Sequence, residues 1–162
     1  MKAIYPGTFD PITNGHLDII ERASHAFDEV TVVIMRNPNK HVLFTEEERA
    51  EMIEQSIEAL TNVHNVHVAI GSGLTVKFAR DHHAGVIIRG IRAVSDYEYE
   101  LQQATANLML DDTIETLFFI ARPEYSFLSS SAVKEIGSNG GTLEGFVPRP
   151  IIGRVTEKLK QI

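Results

Sequence analysis

The stretch Lys2-Ala3-Ile4-Tyr5-Pro6-Gly7-Thr8-Phe9-Asp10-Pro11-Ile12-Thr13-Asn14-Gly15-His16 decides how the whole chain is read. Lys2 to Tyr5 reads as a short strand. A loop punctuated by glycine and proline follows, and then Leu17, Ile20 and Ala23 fall on one helical face. Strand, loop and helix in that order form the first half of a βαβ unit. Working outward, the alternation repeats. Further strands are predicted over Glu29–Met35, Val66–Ile70, Gly85–Ile88 and Glu115–Ile120. Between them, Ile53, Ile57 and Leu60 share one helical face, and Leu74, Phe78 and Ala79 mark a third crossover helix. Thr45-Glu46-Glu47-Glu48 reads as a capping box, so this acidic cluster is assigned a structural role. Helices are also expected over residues 95–110, 129–136 and 149–159, the last packed on the outside.

Right-handed crossovers turn this order into one α/β domain spanning residues 1–162. The expected architecture is a doubly wound, Rossmann-like, five-stranded parallel sheet of order 3-2-1-4-5 with helices on both faces. Ligand chemistry then belongs beyond the carboxyl ends of strands 1 and 4, where the winding reverses. The only breaker-rich segment, Gly137 to Gly141, lies too near the end to separate two domains.

Composition narrows the function. With 22 acidic against 15 basic residues the formal charge is -7, so the chain lacks the overall positive field that holds proteins on nucleic acid or anionic membranes. Neither partner is expected. There is no cysteine, which excludes disulfides, thiolate nucleophiles and cysteine zinc sites and fits a cytoplasmic setting. No segment reads as a signal peptide or a membrane span. His64 with His67, and the pair His82-His83, lack the further ligand that a metal site needs, and no metal ligand is assigned.

Every unusual cluster follows a predicted strand and therefore gathers along one edge of the sheet. After strand 1, Gly7 and Gly15 allow close approach of a ligand, and Thr13 or Asn14 can cap the helix whose first turn becomes an anion site. His16 sits in that turn, where the positive helix end favours a neutral ring that donates one hydrogen bond. Taken alone, such a histidine is more often a packing residue; its place after Thr13-Asn14-Gly15 reverses the odds. After strand 2, Lys40 can reach across the sheet edge. After strand 4, Gly90 is expected to permit a sharp turn between Arg89 and Arg92. After strand 5, Ser129-Ser130-Ser131 leads into a helix carrying Lys134, either as a second phosphate cradle or as a plain serine cap. Asp96, Glu98 and Glu100 read as a solvated helix face.

Taken together, Tyr5 to His16, Ile88-Arg89-Gly90-Ile91-Arg92 and Ser126-Phe127-Leu128-Ser129-Ser130-Ser131 resemble the phosphopantetheine adenylyltransferase family. Thr13-Asn14-Gly15-His16 is similar to the (T/H)xGH signature of its nucleotidyltransferase superfamily. Ser129 to Lys134 is similar to the second signature, with lysine where many relatives have arginine. The resemblance implies a reversible reaction of ATP with 4'-phosphopantetheine to give 3'-dephospho-CoA and pyrophosphate. It implies catalytic roles for His16, Lys40 and Arg92. It implies an ATP site made of Thr8, Phe9, His16, Gly90, Ile91, Arg92, Glu100, Tyr125, Ser126, Phe127, Leu128, Ser129, Ser130 and Ser131. Thr8, Lys40, Thr75 and Arg89 would hold the acceptor, with Thr75 where a methionine is often seen and Tyr125 where tryptophan also occurs. Mg²⁺ on the ATP phosphates, a homohexamer and feedback inhibition by CoA are further implications. The competing readings are transfer to nicotinamide mononucleotide or glycerol phosphate, and a non-catalytic module that binds ATP or CoA.

Overall fold

A computed structural model describes every residue from Met1 to Ile162. Five strands, β1 (Lys2–Gly7), β2 (Glu29–Met35), β3 (Val66–Gly71), β4 (Val86–Ile91) and β5 (Glu115–Ile120), form one sheet of order β3-β2-β1-β4-β5. All neighbouring pairs run parallel, as the sequence predicts. The crossovers are helices α1 (Asn14–Ala26), α2 (Glu46–Glu58), α3 (Thr75–Asp81) and α4 (Val94–Leu110); α5 (Ser130–Ser138) and α6 (Ile152–Lys160) follow β5.

Alternation along the strands separates two cores. Ala3, Tyr5, Val30, Val32, Ile34, Val86 and Ile88 point to the larger, where α1, α2, α5 and α6 contribute Ile20, Ile53, Val133 and Leu159. Ile4, Val33 and Ile87 point to the other side, against Val76, Phe78 and Ala79 of α3. Helices thus cover both faces. The C-terminal α6 does more than pack on the outside, since Val155 and Leu159 are buried in the larger core.

Element boundaries depart from expectation in physically readable ways. β1 runs two residues further, with Pro6 and Gly7 in register with Val33 and Ile34 of β2. On its other side β1 pairs with β4 only at Ala3 and Ile4. Pro6 has no N–H to donate, and beyond Ile4 the two strands part. The sheet therefore opens at its own switch point. β4 also runs past Ile88 to Ile91, so Arg89 and Gly90 are strand residues and no sharp turn occurs at Gly90. A Cβ on Gly90 would come within 2.7 Å of Ile19 Cδ1, so glycine there lets α1 lie close against β4. Leu60 lies beyond the end of α2, and Leu74 caps α3 without burial. The buried face of α2 is Arg49, Met52, Ile53 and Ser56.

Candidate active site

The opening between β1 and β4 leads into a cleft of about 1150 Å³ at the carboxyl edge of the sheet. Thr8, Phe9, His16, Lys40, Thr75, Arg89, Gly90, Arg92, Glu100, Tyr125, Leu128 and Ser129 to Ser131 all line it. Residues more than a hundred positions apart in sequence are gathered there because all five parallel strands end along the same edge.

His16 is the third residue of α1 and takes the place that glutamate or glutamine holds in an ordinary capping box. Its backbone N–H donates to Thr13 Oγ1 at 3.3 Å, while the Thr13 backbone N–H donates to His16 Nδ1 at 3.0 Å. With Nδ1 occupied as an acceptor, the ring proton resides on Nε2. The pKa is lowered to about 4, first by burial and then by the positive charges of Arg92 and Arg89. The neutral donor expected from sequence is present, with burial as the leading cause. The Phe9 ring stands edge-on to His16, their centroids 5.0 Å apart, and is itself 2% exposed. That ring supports the imidazole from behind.

The cations are held in contrasting ways. Arg89 donates to both Glu100 oxygens at 2.7 Å and to the Pro6 carbonyl at 2.7 Å, which is where the β1–β4 ladder has lapsed. Arg92 donates to Asp96 at 3.1 and 3.2 Å and to the Leu128 carbonyl at 2.8 Å. The pKa of Asp96 is lowered: its partial burial works against the charged form, and its bonds from Arg92 override it. Asp96 and Glu100 occupy successive turns of α4 and present both arginines to the cleft. They are ion-pair partners, so the reading of this face as merely solvated is corrected. Lys40 has no carboxylate partner and reaches Thr8 Oγ1 at 3.3 Å across the sheet edge.

The serine cluster divides its work. Ser129 is the N-cap of α5, accepting from the Ala132 N–H at 3.0 Å, and Ser130 donates to the Pro11 carbonyl at 2.8 Å. Ser131 is the one hydroxyl of the three left without an internal bond, at the start of a helix whose first residues line the cleft. Three residues stand apart. Ile91 is buried outside the cleft wall, Ser126 bonds the Pro123 carbonyl at 2.9 Å, and Phe127 packs edge-on to Phe146.

Comparisons with known proteins identify the family. A family model described as cytidylyltransferase-like matches residues 4–136. The phosphopantetheine adenylyltransferase of Clostridium kluyveri is 50% identical over 157 residues, covering 97% of this chain and 94% of that one. That of Synechococcus elongatus is 48% identical over 162 residues, covering 100% and 96%. The chain belongs to the phosphopantetheine adenylyltransferase family. Among solved structures, the Plasmodium falciparum nicotinic acid mononucleotide adenylyltransferase complexed with NaAD superposes with a TM-score of 0.69 over 99% of this chain and 94% of that one. At 16% identity that likeness speaks for the fold.

Within this phosphopantetheine adenylyltransferase fold, sequence reasoning missed Asp10, Asp96 and Arg49, three charges that organise the cleft wall. Asp10 lies inside the quoted motif but looks like an ordinary turn residue. A signal was available in its neighbours: Phe9, Pro11 and Ile12 make the segment around Asp10 too apolar to leave a carboxylate in water.

Proposed function

We propose that this protein catalyses reversible transfer of the adenylyl group of ATP to 4'-phosphopantetheine, giving 3'-dephospho-CoA and pyrophosphate. The observation that carries the reading is a neutral His16 donor among Lys40, Arg89 and Arg92 in a cleft that holds no unpaired carboxylate. An acceptor with a phosphate of second pKa near ~6 needs no base, because it is largely a dianion at neutral pH. One of its oxygens bonds to the α-phosphorus, the bond from that phosphorus to the bridging oxygen breaks, and pyrophosphate leaves with the electron pair. The protein's task is to bring two polyanions together and to stabilise charge on the phosphoryl oxygens.

In this scheme His16 Nε2–H donates to an α-phosphoryl oxygen as charge develops. Lys40, with Thr8, Thr75 and Arg89, holds the acceptor. Arg92, Gly90, Glu100, Tyr125, Leu128 and the α5 start from Ser129 to Ser131 hold ATP, with Phe9 placed beneath. Ile91, Ser126 and Phe127 join the ATP site through the backbone segments they belong to. The cleft carboxylates Asp10, Asp96 and Glu100 are each paired with a cation, and no three His, Asp or Glu side chains stand together as a metal cage. That donor set fits Mg²⁺ carried in on the ATP phosphates and hydrated by water, neutralising phosphate charge without a protein ligand.

CoA shares the pantetheine and adenylyl parts of the product, so it fits the same cleft and acts as a competitive feedback inhibitor. A homohexamer in the cytoplasm completes the proposal. Exposed Tyr97, Tyr99, Leu108 and Met109 on α4, with Leu117 and Ile120 on edge strand β5, support burial against further copies. No helix is long and apolar enough to cross a membrane.

The test is to supply ATP with 4'-phosphopantetheine, nicotinamide mononucleotide or glycerol 3-phosphate, with CTP as the alternative donor, and to measure pyrophosphate and identify each product. Dephospho-CoA is expected as the preferred product. Faster turnover of nicotinamide mononucleotide, or binding of ATP with no turnover of any acceptor, would overthrow the proposal.

A further inference from the structure

Two buried charges that the reaction scheme leaves unused lie directly behind the cleft wall. Asp10 is 2% exposed and Arg49 is 3% exposed. Asp10 Oδ2 accepts from the Leu43 N–H at 2.7 Å and from Lys134 Nζ at 2.7 Å, and Oδ1 accepts from the Phe44 N–H at 2.9 Å. Arg49 Nε donates to the carbonyls of Phe44 at 3.1 Å and Thr45 at 3.2 Å, and Nη1 donates to the carbonyl of Thr8 at 2.9 Å.

Arg49 forms no ion pair, whereas twelve other Lys and Arg side chains and the N-terminus do. A guanidinium withdrawn from water and offered only carbonyl dipoles is an expensive way to fill space, which an apolar side chain of similar volume fills at less cost. What the guanidinium does that an apolar chain does not is to fasten backbone to backbone. Its acceptors belong to two segments, residue 8 and residues 44–45. Asp10 fastens the same two segments from the other side, through the amides of residues 43 and 44. One of the clamped segments begins with Thr8, and the other closes the loop that carries Lys40. The contact between Lys40 and Thr8 spans the cleft between them.

We infer that Asp10 and Arg49 are positioning residues, a buried pair of opposite charges that clamps the Lys40 loop to the Thr8 segment and so sets the acceptor half of the cleft. Asp10 extends the clamp through Lys134 to α5, on the ATP side. The two residues therefore differ in reach. Loss of Arg49 loosens the acceptor side alone, whereas loss of Asp10 also releases Lys134 into the cleft as an unpaired cation. Small displacements matter at such a site, since about 1 Å of misplacement is enough for roughly a hundredfold loss of rate.

The inference rests on the proposed function, and its test separates the two. Wild-type turnover of ATP with 4'-phosphopantetheine tests the function; the clamp is tested by calorimetric Kd for each ligand alone, which needs no turnover. For folded Arg49→Met the Kd for 4'-phosphopantetheine is expected to rise about tenfold or more, with the Kd for ATP within about twofold. Arg49→Lys, which keeps the charge and part of the donor set, is expected to recover between about a third and about two thirds of that loss on a logarithmic scale, leaving an acceptor Kd more than about twofold above wild type. Asp10→Asn is expected to shift both ligands. Unchanged acceptor affinity in folded Arg49→Met, or equal weakening of both ligands, would overturn the role of Arg49. If Arg49→Met does not fold, the same split is read in Arg49→Lys, where an acceptor Kd within about twofold of wild type would overturn it. Wild-type protein that binds neither ligand removes function and clamp together.

Discussion

His16 is held by its own helix start, and its chemistry follows from that arrangement. The Thr13 N–H occupies Nδ1, burial and two arginines keep the ring neutral, and Nε2–H is left to donate. Removing a single preorganised donor to a developing phosphoryl charge costs roughly 10²- to 10³-fold in kcat. His16→Ala is expected to lose that much in steady-state turnover while ATP affinity changes little; an unchanged kcat would remove the role. The ring also has a measurable ionisation. Its pKa in the folded protein is about 4 against 6.5 for an ordinary histidine, so the unfolded chain binds more protons in between. The contribution of His16 to stability is therefore complete above pH 6.5 and declines as pH falls towards 4. An NMR titration of the ring should give a midpoint near 4, and a midpoint near 6.5 would contradict the burial described. This residue was legible in the sequence because its neighbours Thr13 and Gly15 announce a helix start. Asp10 and Arg49 were not, because the partners of Asp10 lie 33 to 124 residues away and Arg49 reaches back 41 residues to Thr8, contacts that only the fold brings together. Asp96 was visible on its helix, but its partner Arg92 lies outside that helix, in the short connection between β4 and α4, so no helical i, i+4 pair was suggested.

At the scale of elements, the periodic segments were readable and their ends were not. β1 and β4 both run further than their apolar residues suggest, since Pro6, Gly7 and Gly90 are turn-like by type and Arg89 is a charge at the end of an apolar run. Tertiary partners override that preference: β2 pairs with Pro6 and Gly7, Glu100 neutralises Arg89, and Ile19 occupies the space a side chain on Gly90 would need. The start of α2, by contrast, was written locally. Thr45 Oγ1 accepts from the Glu48 N–H at 3.1 Å, and Glu48 accepts from the Thr45 N–H at 2.8 Å. A cap of this kind contributes about 1 kcal/mol. Thr45→Ala is expected to lower the Tm by roughly 2–4 °C with kcat unaffected. A Tm equal to wild type in a thermal melt would show that the box stabilises nothing.

For the whole molecule, the strand order and the gathering of the candidate residues at one sheet edge were both foreseeable from the βαβ alternation, because right-handed crossovers leave few ways to wind such a chain. The split itself was not, since it depends on pairing between β1 and β4 that stops after Ile4. That split is what lets a chain of net charge -7 bind polyanions, because Arg89, Arg92, Lys40 and Lys134 all reach one cleft while the acidic surplus lies elsewhere or serves as their partners. In the proposed reaction the acceptor's own phosphate is the nucleophile, so the adenylyl group passes directly from pyrophosphate to the acceptor in a single in-line displacement. The most direct test is the stereochemical course with ATP made chiral at the α-phosphorus by sulfur substitution. Inversion of configuration in the dephospho-CoA analogue is the predicted result; retention would require a covalent adenylyl-enzyme and would contradict the account.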